Sequence, residues 1–109
     1  MKPAVSYRDA LLRSLKDPEE AAEYLSASLE AGDPKAFLLA LRNVIEACGG
    51  MTHIAQASGV HRVSLYKMLS GRGNPGLGNI MRVLQKAGLH FETVAGKGKK
   101  RAFKNKRSL

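Results

Sequence analysis

Two cations, Arg62 and Lys67, lie five positions apart in a segment whose helical periodicity turns both away from its apolar face. A guanidinium group can donate two parallel hydrogen bonds to O6 and N7 of guanine, and an ammonium group can reach a guanine or a phosphate. Between them stands Val63, whose methyl groups suit contact with a thymine methyl. These residue types at this spacing predict a helix that reads base edges in DNA.

Polar side chains around those positions are typical of contacts to the DNA backbone, which set the register of a protein without reading sequence. We expect phosphate or other backbone contacts from Thr52, His53, Gln56, His61, Ser64, Tyr66, Arg72 and Asn74. His61 stands at a helix start, where imidazole is a poorer cap than a hydroxyl group, and this favours a phosphate contact. The competing interpretations are that Arg62 and Lys67 form a merely solvated face, and that Tyr66 packs against its neighbours.

Two short helices in residues 51–71, M-T-H-I-A-Q-A-S-G-V-H-R-V-S-L-Y-K-M-L-S-G, would position these side chains. Gly59 stands where the first helix must end in a left-handed conformation, which glycine adopts without a Cβ penalty. Val60 then fills the gap between the helices. Helical spacing turns inward Ile54, Ala55, Ser58, Leu65, Met68 and Leu69. This layout is that of a helix-turn-helix DNA reader.

Two Asp-Pro pairs mark the starts of longer helices upstream. Asp17 and Asp33 each place a capping carboxylate before a proline, which suits the first helical position. The first of these helices should end near Gly32, and the second should continue through Cys48.

Shorter elements complete the pattern. Residues 7–15 are predicted to form a short helix, and residues 77–87 a final one. The inward residues of that final helix are expected to be Leu77, Ile80, Met81, Leu84 and Ala87. Residues 90–95 alternate like a strand, and pairing with its copy across a dimer is one way to supply the partner that such a strand needs.

The sequence therefore predicts an all-α fold: a five-helix-like bundle with a helix-turn-helix motif, a short C-terminal strand and a disordered basic tail. Residues 1–32 are assigned to an N-terminal helical extension and residues 33–95 to the DNA-binding domain, the two forming one compact unit. Residues 96–109 are assigned to the flexible tail.

Charge is distributed unevenly along the 109 residues, whose net charge is +9. Residues 1–50 hold six Lys or Arg and eight Asp or Glu, residues 51–95 hold five and one, and residues 96–109 hold seven and none. Because Lys and Arg that neutralise phosphates supply non-specific affinity for nucleic acid, the basic part favours a polyanionic partner. The acidic part suits a dimer interface, a basic protein partner or a solvated face.

Composition argues against several other classes. Cys48 is the single cysteine, and the three histidines have no ligand-spaced neighbours, so we expect no metal and no cofactor. No phosphate-cradling glycine motif, nucleophilic triad or paired carboxylates indicates an enzyme. The apolar runs are far shorter than the ~20 residues that span a bilayer, and the N-terminus lacks the apolar region of a secretory signal. We expect a bacterial cytoplasmic protein without membrane contact.

Two longer runs resemble a known family. They are D-P-E-E-A-A-E-Y-L-S-A-S-L-E-A-G-D-P-K-A-F-L-L-A-L-R-N-V-I-E-A-C-G-G-M and S-G-V-H-R-V-S-L-Y-K-M-L-S-G-R-G-N-P-G-L-G-N-I-M-R-V-L. Over residues 9–92 the chain resembles the addiction-module antidote proteins, HigA-type antitoxins of the phage-repressor (Xre/Cro) helix-turn-helix class. The specific parts are D-P-x-x-A-A-x-Y-L, G-D-P and the G-N-P loop, which a generic helix-turn-helix protein lacks.

The resemblance implies an antitoxin that neutralises a small RelE/ParE-like toxin and, as a homodimer, represses its own operon by binding double-stranded operator DNA. It also implies that the second helix of the pair reads DNA, although relatives usually have Ser or Thr in place of His61. A stand-alone Xre-type repressor without a toxin is the alternative. For the basic tail we favour a phosphate-binding arm over solubilising charge or a toxin-contacting segment.

Overall fold

Six helices make up the regular structure of residues 6–96, which are the residues that the computed structural model describes. They are α1 (Tyr7–Ser14), α2 (Pro18–Glu30), α3 (Pro34–Ala47), α4 (Met51–Ser58), α5 (Arg62–Met68) and α6 (Leu77–Lys86). The all-α class is confirmed, but the five-helix-like count was wrong by one. The short helix predicted over residues 7–15 is α1, and it stays separate from α2 because Asp17, which precedes a proline, is held in an extended conformation.

Both Asp-Pro helix starts are confirmed. Asp17 Oδ1 accepts a hydrogen bond of 3.0 Å from the Glu19 N–H, and Asp33 Oδ1 accepts one of 3.0 Å from the Lys35 N–H. In both cases a proline occupies the first turn of the helix that follows. Each cap satisfies a backbone donor that the helix leaves free, and is worth about 1 kcal/mol.

The centre of the molecule is α3. Its buried residues are Phe37, Leu38, Ala40, Leu41, Val44, Ile45 and Ala47. Three helices, α1, α2 and α4, pack against it, and α4 in turn contacts both α5 and α6. The predicted N-terminal extension thus contributes α2 to the same core as the rest of the chain.

Residues 90–95 do not form the expected strand, and no strand occurs elsewhere in residues 6–96. A strand needs a hydrogen-bonded neighbour, which a single helical chain does not supply. Instead, the ring of Phe91 is half-buried with its centroid 6.0 Å from that of Phe37. This segment therefore packs against the helical core.

The buried stripe of α6 differs from the expected one. Val83 and Leu84 are buried, whereas Leu77 and Met81 are 63% and 51% exposed. The expectation that Leu77 and Met81 face the core was wrong. The apolar face of α6 is wider than the surface that the core offers it, so one edge of that face stays in solvent.

The predicted domain boundaries at residues 32 and 95 stay predictions. From residue 97 onward, the predicted basic tail lies outside the described residues. None of the helices described here is long and apolar enough to cross a membrane.

Gly59 ends α4 with a φ of 77°, and a Cβ placed on it would meet no atom within 4 Å. Gly59→Ala should lower the free energy of unfolding by about 1 kcal/mol, because an L side chain is strained in the left-handed region even where space is free. Gly78→Ala is the matched control. Gly78 lies within α6 beside open space, so alanine should stabilise the helix by about 0.5 kcal/mol. Urea denaturation measures both effects, and destabilisation by both variants alike would contradict this account.

Candidate nucleic-acid interface

Local hydrogen bonds fix the conformation of the three residues between α4 and α5. After Gly59, the Val60 N–H donates to Ser58 Oγ at 3.3 Å, and the Val60 side chain is buried as expected. His61 Nδ1 accepts from the Val63 N–H at 3.2 Å, so the imidazole does cap α5. With Nδ1 engaged in this bond, Nε2 is the nitrogen left to donate to a phosphate oxygen.

The two sides of α5 are as the sequence predicts. Leu65 and Met68 are buried, together with Leu69 at the helix end. The exposed residues are Arg62, Val63, Ser64, Tyr66 and Lys67. Val63 is 58% and Tyr66 38% exposed, so apolar and aromatic groups on this side are open to a ligand.

Two shallow hollows flank α5. The first hollow, of about 410 Å³, lies at the start of α5 and is lined by Thr52, Ala55, Gln56, Gly59, Val60, His61 and Arg62. The second hollow, of about 500 Å³, lies at its end and is lined by Tyr66, Lys67, Ser70, Arg72 and Gly73. The structure thus gathers seven of the predicted contact residues into two groups, one at each end of the exposed side of α5.

Four of the predicted contact residues lie outside these hollows. Val63 and Ser64 are on the exposed side of α5 but line neither hollow. The ring of His53 stacks over Gly49, where an added Cβ would come within 2.9 Å of His53 Cδ2. Asn74 lines a separate groove between α2 and α6.

Arg42 on α3 joins this surface, although it was not singled out from the sequence. Its Cζ lies 5.8 Å from the centroid of the Tyr66 ring, and Cζ of Arg62 lies 5.5 Å from the same centroid. Both distances are within the range of about 6 Å at which an aromatic face attracts a cation. The sequence places Arg42 beside the apolar stripe of α3, but it does not reveal that α5 lies alongside.

Within residues 6–96, one carboxylate, that of Glu46, pairs with the arginines here. Arg42 Nε lies 4.0 Å from Glu46 Oε2, while Glu46 Oε1 forms an ion pair with Arg8. Arg8 also donates to Asn43 Oδ1 at 3.1 Å. Because Glu46 serves two guanidinium groups and Arg62 adds a third nearby, the cluster keeps a net positive charge that an anion would offset.

Cys48, at the end of α3, is half-buried. Burial raises the pKa of its thiol, which therefore stays protonated at neutral pH and is a weak nucleophile and metal ligand. In the described part of the chain, no three His, Cys, Asp or Glu side chains are grouped so that they could hold a metal ion. What the surface around α5 offers is hydrogen bonding and positive charge.

Comparison with known proteins gives the chain a family. A family described as "Probable addiction module antidote protein" matches residues 9–95. An uncharacterised protein of Haemophilus influenzae is 36% identical over 78 residues, which are 72% of this chain and 79% of that protein. No solved structure matches the chain. Because the family match runs from within α1 to beyond the end of α6, the chain belongs to the probable addiction module antidote proteins.

Proposed function

We propose that this chain is a DNA-binding antitoxin that neutralises a RelE/ParE-like toxin and, as a homodimer, represses the operon encoding both proteins. Membership of the antidote family implies a cognate toxin. The toxin class, the dimer and the repression extend that implication through the resemblance described above. A dimer on a palindromic operator would hold its two reading helices about 34–36 Å apart, or a multiple of that distance.

The observation that carries the DNA-binding part is the exposed side of α5, with Arg62 at one end and Lys67 at the other. Two helices joined by three residues, of which the second presents such side chains, support the proposal of a helix-turn-helix motif. The major groove, about 12 Å wide, admits an α-helix. We assign base reading to Arg62, Val63 and Lys67, and phosphate contacts to the polar residues of the two hollows.

The arginine cluster supports the same proposal from a second element. Arg42 and Arg62 share the Tyr66 ring, and like charges held this close gain from a nearby anion. A DNA phosphate is such an anion. We therefore add Arg42 to the proposed phosphate contacts, with Tyr66 holding the two guanidinium groups beside α5.

A stand-alone repressor would use the same DNA-binding surface without a toxin. Family membership favours the antitoxin. A pull-down from cells that co-express the chain with the product of the adjoining gene distinguishes the two functions. A stable complex supports the antitoxin, and no complex supports the stand-alone repressor.

Arg62→Ala should abolish the preference of the chain for its own promoter over unrelated DNA. Two hydrogen bonds from arginine to guanine are worth about 1–3 kcal/mol of discrimination, whereas phosphate contacts by other residues should preserve most non-specific affinity. A competition assay with promoter and unrelated fragments measures the sequence preference and the non-specific affinity. Arg13→Ala on α1 is the charge-matched control. Unchanged preference in Arg62→Ala would refute the role of Arg62, and no preference in the unmodified chain would refute repression.

Arg42→Gln should weaken binding to promoter and unrelated DNA alike. Loss of one phosphate contact makes the slope of log affinity against log salt shallower by about 0.9, while sequence preference is retained. Arg13→Gln removes one charge from α1, outside the proposed contact surface, and should leave the slope unchanged. If Arg42→Gln gives the slope of the unmodified chain, Arg42 only packs against Tyr66.

Deletion of residues 96–109 should make the slope of log affinity against log salt shallower than the loss of one phosphate contact does. The reason is that these residues hold seven Lys or Arg and no Asp or Glu. Each phosphate they neutralise contributes about −0.9 to the slope. A chain of full length with the seven cations replaced by Gln separates charge from length and should behave like the deletion. An unchanged slope in both variants would exclude the tail from the DNA contact.

A further inference from the structure

A concave surface separate from the two hollows lies between α2 and α6. We name it the α2–α6 cleft. It consists of two adjoining grooves of about 350 Å³ and about 150 Å³, which share Leu29, Phe37 and Phe91. Ala22 and Ser26 belong to its α2 wall. The sharing of three apolar residues makes the two grooves one continuous surface.

The α6 wall of the cleft is apolar, and further apolar side chains of α6 extend it toward solvent. Ile80 and Leu84 line the grooves. Leu77 and Met81, each within one helical turn of these two, are 63% and 51% exposed, and Leu29 on the opposite wall is 47% exposed. Contiguous apolar surface rimmed by polar residues is typical of a site that binds another protein.

The α2 edge of the cleft is acidic. Glu19, Glu23 and Glu30 fall within about 40° of one another around the helix axis, directly beside Ala22 and Ser26. α2 contains no Lys or Arg, and the ion pairs found within residues 6–96 both involve Glu46 instead. The three carboxylates on this edge are therefore unpaired within the described part of the chain.

The cleft itself adds to this charge. Asp33 and Glu92 are among its lining residues, and no Lys or Arg is among those described. A polyanion such as DNA would be repelled there, whereas a segment with basic residues would be attracted. The charge is thus opposite in sign to that of the surface around α5.

From this combination we infer that the α2–α6 cleft is where the cognate toxin docks, and that it takes a basic amphipathic segment of that protein. Apolar side chains of the segment enter the cleft between Leu29 and Ile80, while its Lys and Arg side chains face Glu23 and Glu30. Buried apolar anchors supply most of the affinity, and the charges supply specificity and speed of association. The proposal rests on the function proposed above, since it requires a toxin.

Charge also argues against a second copy of this chain as the occupant. In a two-fold interface the same patch faces itself, so the acidic edge would meet either its own carboxylates or the apolar α6 wall. Neither arrangement offers a cation to Glu19, Glu23 or Glu30. A basic partner satisfies them directly.

Two variants of the full-length chain test the cleft, titrated calorimetrically with the purified product of the adjoining gene. Leu29→Gln places a polar group on the apolar wall, and Glu23→Lys/Glu30→Lys reverses the acidic edge. Each should raise the Kd for that protein by about tenfold or more. Both sites are exposed, so circular dichroism should show unchanged helix content, and promoter affinity should not fall.

Matched controls come from residues of the same type outside the cleft. Leu39→Gln changes an equally exposed leucine, 53% exposed on α3, and Glu20→Lys changes a glutamate on another side of α2. Both should keep the Kd of the unmodified chain. If the cleft variants bind as the controls do, the cleft is not the docking site although the antitoxin function stands.

Two other outcomes also overturn the proposal. If the unmodified chain does not bind the adjoining gene product at all, the toxin-neutralising function fails together with the docking site. If Leu29→Gln lowers the mass of the free chain in light scattering without changing the Kd, the cleft belongs to an interface between copies of this chain.

Discussion

Burial of one face of α3 is the constraint on which the rest of the structure depends. Leu41, Val44 and Ile45 have no exposed surface, and removing a side chain of this size from water is worth about 1.5–3 kcal/mol. α1, α2 and α4 each pack apolar side chains on α3. α2, which bears the acidic edge, packs on α3, and so does α4, which in turn contacts α5. The position of α3 therefore also sets how the acidic edge and the proposed reading helix are placed relative to each other.

α5 depends on its neighbours for its position. A helix of seven residues has too few hydrogen bonds to be stable alone, so its orientation comes from burial of Leu65 against α4 and from the Tyr66–Arg42 contact with α3. The two interpretations of Tyr66, packing and phosphate contact, are therefore compatible. The ring holds two guanidinium groups, while 38% of the residue stays open to solvent.

Local signals in the sequence were sufficient for the helices and for the two sides of α5. Asp-Pro caps, the left-handed Gly59 and the spacing of Leu65 and Met68 act within one or two turns, so their physical cause lies in the local sequence. What failed depended on distant packing. The exposure of Leu77 and Met81 follows from how much of α6 the core can cover, and residues 90–95 lacked a partner strand. Arg42 entered the site for a similar reason, because only the fold brings α3 to Tyr66.

The loop after α5 is where the two proposed binding surfaces meet. Arg72 lines the second hollow, Asn74 lines the α2–α6 cleft, and Gly73 lines both. A Cβ on Gly73 would come within 3.0 Å of the Lys67 carbonyl oxygen, so this loop lies directly against the end of α5. Coupling between two ligands requires contacts that differ between their states, and this shared loop is the part of the described chain that both would touch. Charge favours joint occupancy over competition, because a basic segment in the cleft would attract DNA bound at α5 rather than repel it.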